Sequence, residues 1–187
     1  MILDYKNIDD MDRYKIMSDT VIPRPIAWIV TEDDGVINAA PFSYFIPISS
    51  NPATVIVAIG QKSETVPKDT LANILKHKKA TICFANKDNI EQLKLCATPL
   101  EKDDSEIKKY SIEVQQILED FPPMISSSQS ALFCDYYSTI ELPGKTTPVI
   151  LEIKKQFIED DRIDENQHIN VENIGRNGAF FSAMVKL

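Results

Sequence analysis

The stretch Ile22 to Ile59, IPRPIAWIVTEDDGVINAAPFSYFIPISSNPATVIVAI, decides how the rest of the chain folds. It reads as β structure. Ile26 to Thr31 (IAWIVT) and Val36 to Ala40 (VINAA) flank the turn Glu32-Asp33-Asp34-Gly35, and an Asp-Gly pair between β-branched runs signals a hairpin. The two segments are expected to pair antiparallel. Pro41 and Pro47 cannot donate to a ladder, so the segment between them belongs at a sheet edge or in a loop, where a site can form. After Asn51-Pro52, TVIVAI (Thr54 to Ile59) reads as a further strand.

Beyond Gly60 the period changes. Asp69 and the following TLANILKHKK carry an apolar stripe at Leu71, Ile74 and Leu75 and end in Lys76, His77, Lys78 and Lys79, the charge polarity that a helix dipole favours. Ala80 to Ala85 (ATICFA) predicts a buried strand, and Asp88 to Ala97 a second short helix. Ser105 is a candidate cap for a helix over Glu106 to Leu118, with Ile107, Tyr110, Val114, Ile117 and Leu118 on one face, stopped at Phe121-Pro122-Pro123. Such a helix would cover a barrel end. Ala131 to Leu142 and Val149 to Glu159 predict a second hairpin around Pro143-Gly144, and AFFSAMVKL (Ala179 to Leu187) a last strand. Strands joined through turns, with helices between two groups, argue for an antiparallel α+β barrel or sandwich over residues 1–187 as one domain.

Composition removes several classes of function. With 28 acidic against 20 basic side chains the net charge is −8, and no Lys/Arg-rich stretch offers a phosphate backbone a concentrated basic face. No apolar run approaches a bilayer span, and the acidic MILDYKNIDD is unlike a signal peptide, so no membrane role and a cytoplasmic location are expected. Cys83, Cys96 and Cys134 are widely spaced without a CxxC, and His77 and His168 stand far apart, which supports neither a disulfide framework nor a metal site. The cysteines read as buried apolar residues, His77 as a helix C-terminal cation and His168 as a loop residue. The acidic clusters Glu101 to Glu106 and Glu159 to Glu165 read as solvated surface. Five glycines, none in a GxGxxG or Walker pattern, mean that any nucleotide is held in another way, and no GxSxG is present.

Three stretches remain as candidates for chemistry. Arg24, between Pro23 and Pro25, is either a rigidly held partner for an anion or planar ring or an ordinary surface arginine beside a strand; Trp28 is either core or a platform. In NAAPFSYFIPISS (Asn38 to Ser50), the small Ala39 and Ala40 would let a flat ligand approach the backbone, with Asn38 and Ser43 offering donors and acceptors to ring edges; Phe42 and Phe45 read as packing. Lys68-Asp69-Thr70 opens the first helix. There a Lys, a Thr hydroxyl and free N–H groups suit a phosphate, whereas Asp69 reads as a simple N-cap.

PRPIAWIVT (23–31), DGVINAAPFSYF (34–45), SSNPATVIVAIG (49–60) and KDTLANI (68–74), in that order, resemble the flavin reductase-like family, the FMN-binding split-barrel proteins that include flavoredoxin. The resemblance extends less sharply to Ala131 to Leu142 and to IGRNGAFFS (Ile174 to Ser182). It implies a mainly β Greek-key split barrel with a few peripheral helices, forming a homodimer that holds FMN non-covalently near the subunit interface. Carried over by position, it implies that Arg24, Ala27 and Trp28 lie along the flavin and that Asn38, Ala39 and Ser43 lie near its ring and ribityl chain. Ser49, Ser50, Lys68, Thr70 and Asn73 would lie toward the phosphate, and Arg176 would reach the cofactor or the partner subunit.

Two departures stand out. Ala53 follows Pro52 where many members have a second proline, and Glu101 to Leu118 is more acidic and helical than the family pattern. The activity implied is hydride transfer from NADH or NADPH to flavin, with electrons passed to a small acceptor or a redox partner protein and no catalytic acid or base required. An FMN electron carrier of flavoredoxin type is the alternative. A non-catalytic flavin-binding protein is a reading of another class.

Overall fold

The computed structural model describes residues 1–63, 66–101 and 104–183. The four last residues of the expected terminal strand, 184–187, and residues 102–103 of the first acidic cluster lie outside the described residues.

The chain begins with helix α1 (Asp10–Thr20), whose N-cap Asp9 accepts from the Asp12 amide. No expected element covered this segment. Its one buried residue is Ser18, so it has no apolar stripe to read. The short strand β1 (Arg24–Pro25) leads into β2 (Ala27–Asp33) and β3 (Val36–Phe42), which form the expected antiparallel hairpin with Asp33 opposite Val36. Asp34 and Gly35 both have positive φ, 48° and 79°, the geometry that matches a two-residue turn to the twist of its strands. Then follow β4 (Phe45–Ser50), β5 (Ala53–Gly60), helix α2 (Asp69–His77), β6 (Lys79–Cys83) and the short helices α3 (Ile90–Leu95) and α4 (Glu106–Lys109). A two-stranded ribbon, β7 (Val114–Gln115) with β8 (Met124–Ile125), precedes the long hairpin of β9 (Ser130–Thr139) and β10 (Thr146–Ile158). Strands β11 (Ile174–Asn177) and β12 (Phe180–Ala183) pair with each other and with β1.

Seven strands form the main antiparallel sheet in the order β3-β2-β6-β9-β10-β5-β4. Its two edge strands, β3 and β4, are consecutive in the chain and separated only by Ser43 and Tyr44, so the sheet curls until its edges meet without pairing. The result is the antiparallel Greek-key split barrel expected from the sequence. The segment between Pro41 and Pro47 lies at that split, as the prolines required.

Strand β2 explains the layers. Ala27 and Ile29 point into the barrel, joining Val55, Val57 and Ile59 of β5 and Val149 and Leu151 of β10. Trp28 and Val30 point outward, into a second core with Leu93, Ile107, Met124 and Ile125. Both faces are buried, which is why IAWIV reads as a continuous apolar run. Helix α2 closes the barrel with Leu71 and Ile74, whose burial stabilises the fold by ~1.5–3 kcal/mol each.

The expected helix over Glu106 to Leu118 is corrected by the structure. Helix α4 stops at Lys109, Ser111 takes a left-handed φ of 51°, and the chain turns into β7. Ile107, Tyr110, Val114 and Ile117 all pack on the outer core, but by way of a turn and a ribbon. Burial followed the pattern, whereas the element did not, because Ile112 is drawn into that core out of helical register. The segment therefore covers the outer face of the sheet, not a barrel end.

Candidate functional site

Strand β3 is an edge of the main sheet, and two cavities lie along it. A cavity of about 280 Å³ lies against Asn38, Ala40, Lys68 and Thr70, with Thr98 and Pro99 across from them. A second, of about 180 Å³, lies against Pro41, Phe42, Ser43, Leu93 and Arg176. Ala97 borders both, so together they form a groove that follows Asn38-Ala-Ala-Pro-Phe-Ser43 and is covered by α3 and the segment after it. The small Ala40 keeps the wall low there, whereas Ala39 is buried in the outer core.

At one end the groove meets the start of α2. Lys68 is the N-cap residue and its side chain makes no capping bond, so the helix start carries no side-chain cap from it. Asp69 is not the cap expected from the sequence. It is the first helical residue, and its carboxylate is taken by Lys62 at 2.6 Å. A buried network fixes this end: Asn38 Nδ2 donates to Thr70 Oγ1 at 2.9 Å and, more weakly, to Thr31 Oγ1 at 3.4 Å, and Asn73 Nδ2 donates to Thr31 Oγ1 at 3.1 Å. These bonds tie α2 to β2 and β3. Lys68 Nζ lies 5.5 Å from the centre of the Phe42 ring and has no ion-pair partner among the described residues. Asn73 therefore acts from behind the wall, through Thr31.

At the other end, Arg176 of β11 stands over Phe181, 4.7 Å from the ring centre. Gly178, in the turn from β11 to β12, has φ +55°, and a Cβ there would lie 2.2 Å from an Asp19 carboxylate oxygen. Glycine lets this turn rest on α1 without strain, and its amide donates to the Ser18 carbonyl.

Arg24 faces elsewhere, and the reading of it as a surface arginine is corrected. It is 6% exposed; Nη1 donates to the carbonyls of Ser18 and Val21, neutralising the C-terminal end of α1. It borders a third, mostly apolar cavity beside Tyr44 and Ile46, which meets the groove at Ser43. Ala27, Trp28 and Ala39 are buried side chains, Trp28 wholly within the outer core. Ser49 and Ser50 are exposed on β4, at the opposite end of β5 from Gln61 and the α2 cavity. Of the twelve sequence candidates, the structure thus gathers Asn38, Ser43, Lys68, Thr70 and Arg176 along one groove and sets Ser49 and Ser50 apart from them.

Glu106 was missed. It sits at the start of α4, 6% exposed, lines the α2 end of the groove, and its Oε2 accepts the Ala39 amide at 3.0 Å. Ser105 Oγ donates to the Ile37 carbonyl. The two side chains thus occupy positions on the β3 edge that a neighbouring strand would fill. Burial pushes the Glu106 carboxyl above the usual carboxylate range, against the opposing pull of the Ala39 amide. Only the Ser105 cap signal in the sequence pointed near it. The three cysteines are free and buried, and desolvation pushes Cys83 and Cys96 up to about 12 and Cys134 higher still. No described cluster of His, Cys, Asp and Glu suits a metal ion, and no described helix is long and apolar enough to cross a membrane.

The structure is a split barrel with an exposed edge strand, a helix start without a side-chain cap and a groove between them. The chain belongs to the flavin reductase like domain family, whose model matches residues 17–172. A protein of Aquifex aeolicus is 27% identical over 92% of this chain and 90% of its own length. Among solved structures, nitrilotriacetate monooxygenase component B from Bacillus cereus superposes with a TM-score of 0.93 at 20% identity, covering 100% of this chain and 96% of that one. The Pseudomonas fluorescens 2-nitrobenzoate 2-nitroreductase NbaA gives 0.89 at 23% identity, covering 100% and 95%. The family identifies a flavin reductase-type protein.

Proposed function

We propose that this protein is an oxidoreductase that holds FMN non-covalently in the β3 groove and takes hydride from NADH or NADPH. The observation that carries this reading is the continuity of the groove from the uncapped start of α2, with Lys68 and Thr70, past Ala40 to Ser43 and Arg176. The residues fit the group. Lys68, the Thr70 hydroxyl and the free amides of α2 would take the phosphate, Asn38 and Ser43 the polar atoms of the chain and ring, and the β3 backbone the ring's flat side. Flavin, when bound, supplies the two-electron chemistry. The protein's own share is positioning: the Asn38–Thr70–Thr31–Asn73 network fixes the helix start against the strand, and α3 with its following segment shields one side from water.

A homodimer is part of this proposal. Its support is the apolar cavity of about 370 Å³ beside β4, with Ile46 and Ile48 exposed on the edge strand and Met17, Val21 and Ile22 exposed nearby. Ser49 and Ser50 lie on that same strand, where a second copy would bring them toward its partner's ligand. Three unpaired cysteines suit the reducing cytoplasm.

The test is loss of NADH or NADPH absorbance with and without added FMN. Oxidation that depends on FMN supports the proposal, and its absence with both donors overturns the reductase reading. Tight FMN without turnover would identify an electron carrier or a binding protein.

A further inference from the structure

The charged residues that line the α2 end of the groove are Lys62, Lys68, Asp69 and Glu106. Lys62 and Asp69 neutralise each other at 2.6 Å. Lys68 and Glu106 have no ion-pair partner among the described residues, so the net charge of this cavity turns on Glu106 alone: none when its carboxyl is ionised, one positive when it is protonated. The carboxyl is held in place by the Ala39 amide, on the edge of the strand that forms the wall.

We propose that Glu106 sets the charge preference of the groove, so that a phosphate-bearing ligand binds more tightly when this carboxyl is neutral than when it is ionised. The inference rests on the placement of the flavin phosphate toward Lys68 and Thr70. The groups that face Glu106 are Asp69 at the start of α2, Lys62 in the preceding loop and Cys96 after α3; Lys68 shares the cavity, and Lys108 and Lys109 lie on its own helix. Strand β3, which it touches, carries no charged residue. Burial, the largest effect, raises the Glu106 carboxyl; the Ala39 amide and its own backbone amide lower it, and of the nearby charges Asp69 raises it and Lys62 lowers it. The switch between the two states therefore falls above the ordinary carboxylate range, closer to neutral pH.

The experiment is a fluorescence titration of FMN and of riboflavin, which lacks the phosphate, into the wild-type protein and Glu106→Gln, from mildly acidic to neutral pH. Gln keeps an acceptor for the Ala39 amide, so the substitution changes charge with little change of shape. At neutral pH the variant is expected to bind FMN roughly fivefold more tightly than wild type, the scale of one charge removed at the rim of a partly solvated site. Riboflavin affinity should stay unchanged. The phosphate's own ionisation near pH 6 acts on both proteins, so the difference between them isolates Glu106.

An FMN-to-riboflavin affinity ratio that is the same in both proteins overturns the inference while leaving flavin binding intact. Binding of neither flavin to wild type at any pH overturns both this inference and the functional reading. The pH series gives a second measure: the wild-type FMN-to-riboflavin ratio divided by that of Glu106→Gln at the same pH should fall as pH rises, and a quotient that holds or increases contradicts the proposal.

Discussion

Thr70→Val isolates the bond that fixes the start of α2. Thr70 is 1% exposed, and its Oγ1 accepts from Asn38 Nδ2 at 2.9 Å. Valine fills nearly the same volume, so no cavity forms; what is lost is the acceptor for a buried amide. Asn38 keeps only the long 3.4 Å approach to Thr31 Oγ1, which Asn73 already occupies. Leaving a buried donor unsatisfied costs about 1–3 kcal/mol, and for a chain of this size that is a fall in Tm of roughly 2–12 °C. The assay is thermal unfolding followed by far-UV circular dichroism, with an FMN titration at a fixed temperature below both transitions. Thr70→Ser, which keeps the hydroxyl, should recover most of the loss. A cycle with Asn38→Ala should show a coupling of about 0.5–3 kcal/mol, because the two side chains share one bond. Unchanged Tm in Thr70→Val, or strict additivity with Asn38→Ala, would refute the network as the device that positions this end of the groove.

Lys68→Ala should weaken FMN by about 10- to 100-fold, the equivalent of one charge-assisted hydrogen bond, while leaving riboflavin close to unchanged; equal losses for both flavins would move the phosphate away from α2. The Asp33 carboxyl accepts from Lys76 and from His77 Nε2 at 2.7 Å, and those bonds hold it below the usual carboxylate range. Its stabilising contribution is therefore present above the unfolded-state value and is lost as pH falls through the lower folded-state value. Asp33→Asn should flatten the acid limb of the Tm–pH profile, and parallel profiles for variant and wild type would count against it. Cys83, Cys96 and Cys134, buried with their thiols pushed up to about 12 or beyond, should resist a disulfide reagent in the folded protein at mildly alkaline pH and react together on unfolding; rapid labelling of the native state would show them accessible.

The barrel was legible because its signals are local. Asp34-Gly35 sets the first hairpin by φ alone, Pro41 and Pro47 force an edge, and the stripe of Leu71, Ile74 and Leu75 has one period. Helix α1 was silent because it is held by its cap, by Tyr14 stacked on Tyr44 at 5.9 Å and by Arg24 at its C-terminal end, none of which makes an apolar repeat. The Glu106 to Leu118 pattern misled because burial against a curved surface does not require one regular element. In the groove, Asn38, Lys68 and Thr70 could be named from residue type and order, and the structure brings them to one wall. Glu106 could not, since an acidic residue in an acidic stretch reads as surface until the fold places it against a strand edge.

Flavin along the β3 edge is the claim on which the functional account stands, and mapping backbone amide chemical shifts during FMN addition tests it most directly. The account predicts saturable shifts at Asn38 to Ser43, Lys68 to Thr70 and Arg176, with the loop from Asp164 to His168, which lines neither cavity of the groove, unmoved. Shifts gathered away from β3 and α2, or none at all at saturating FMN, would contradict it.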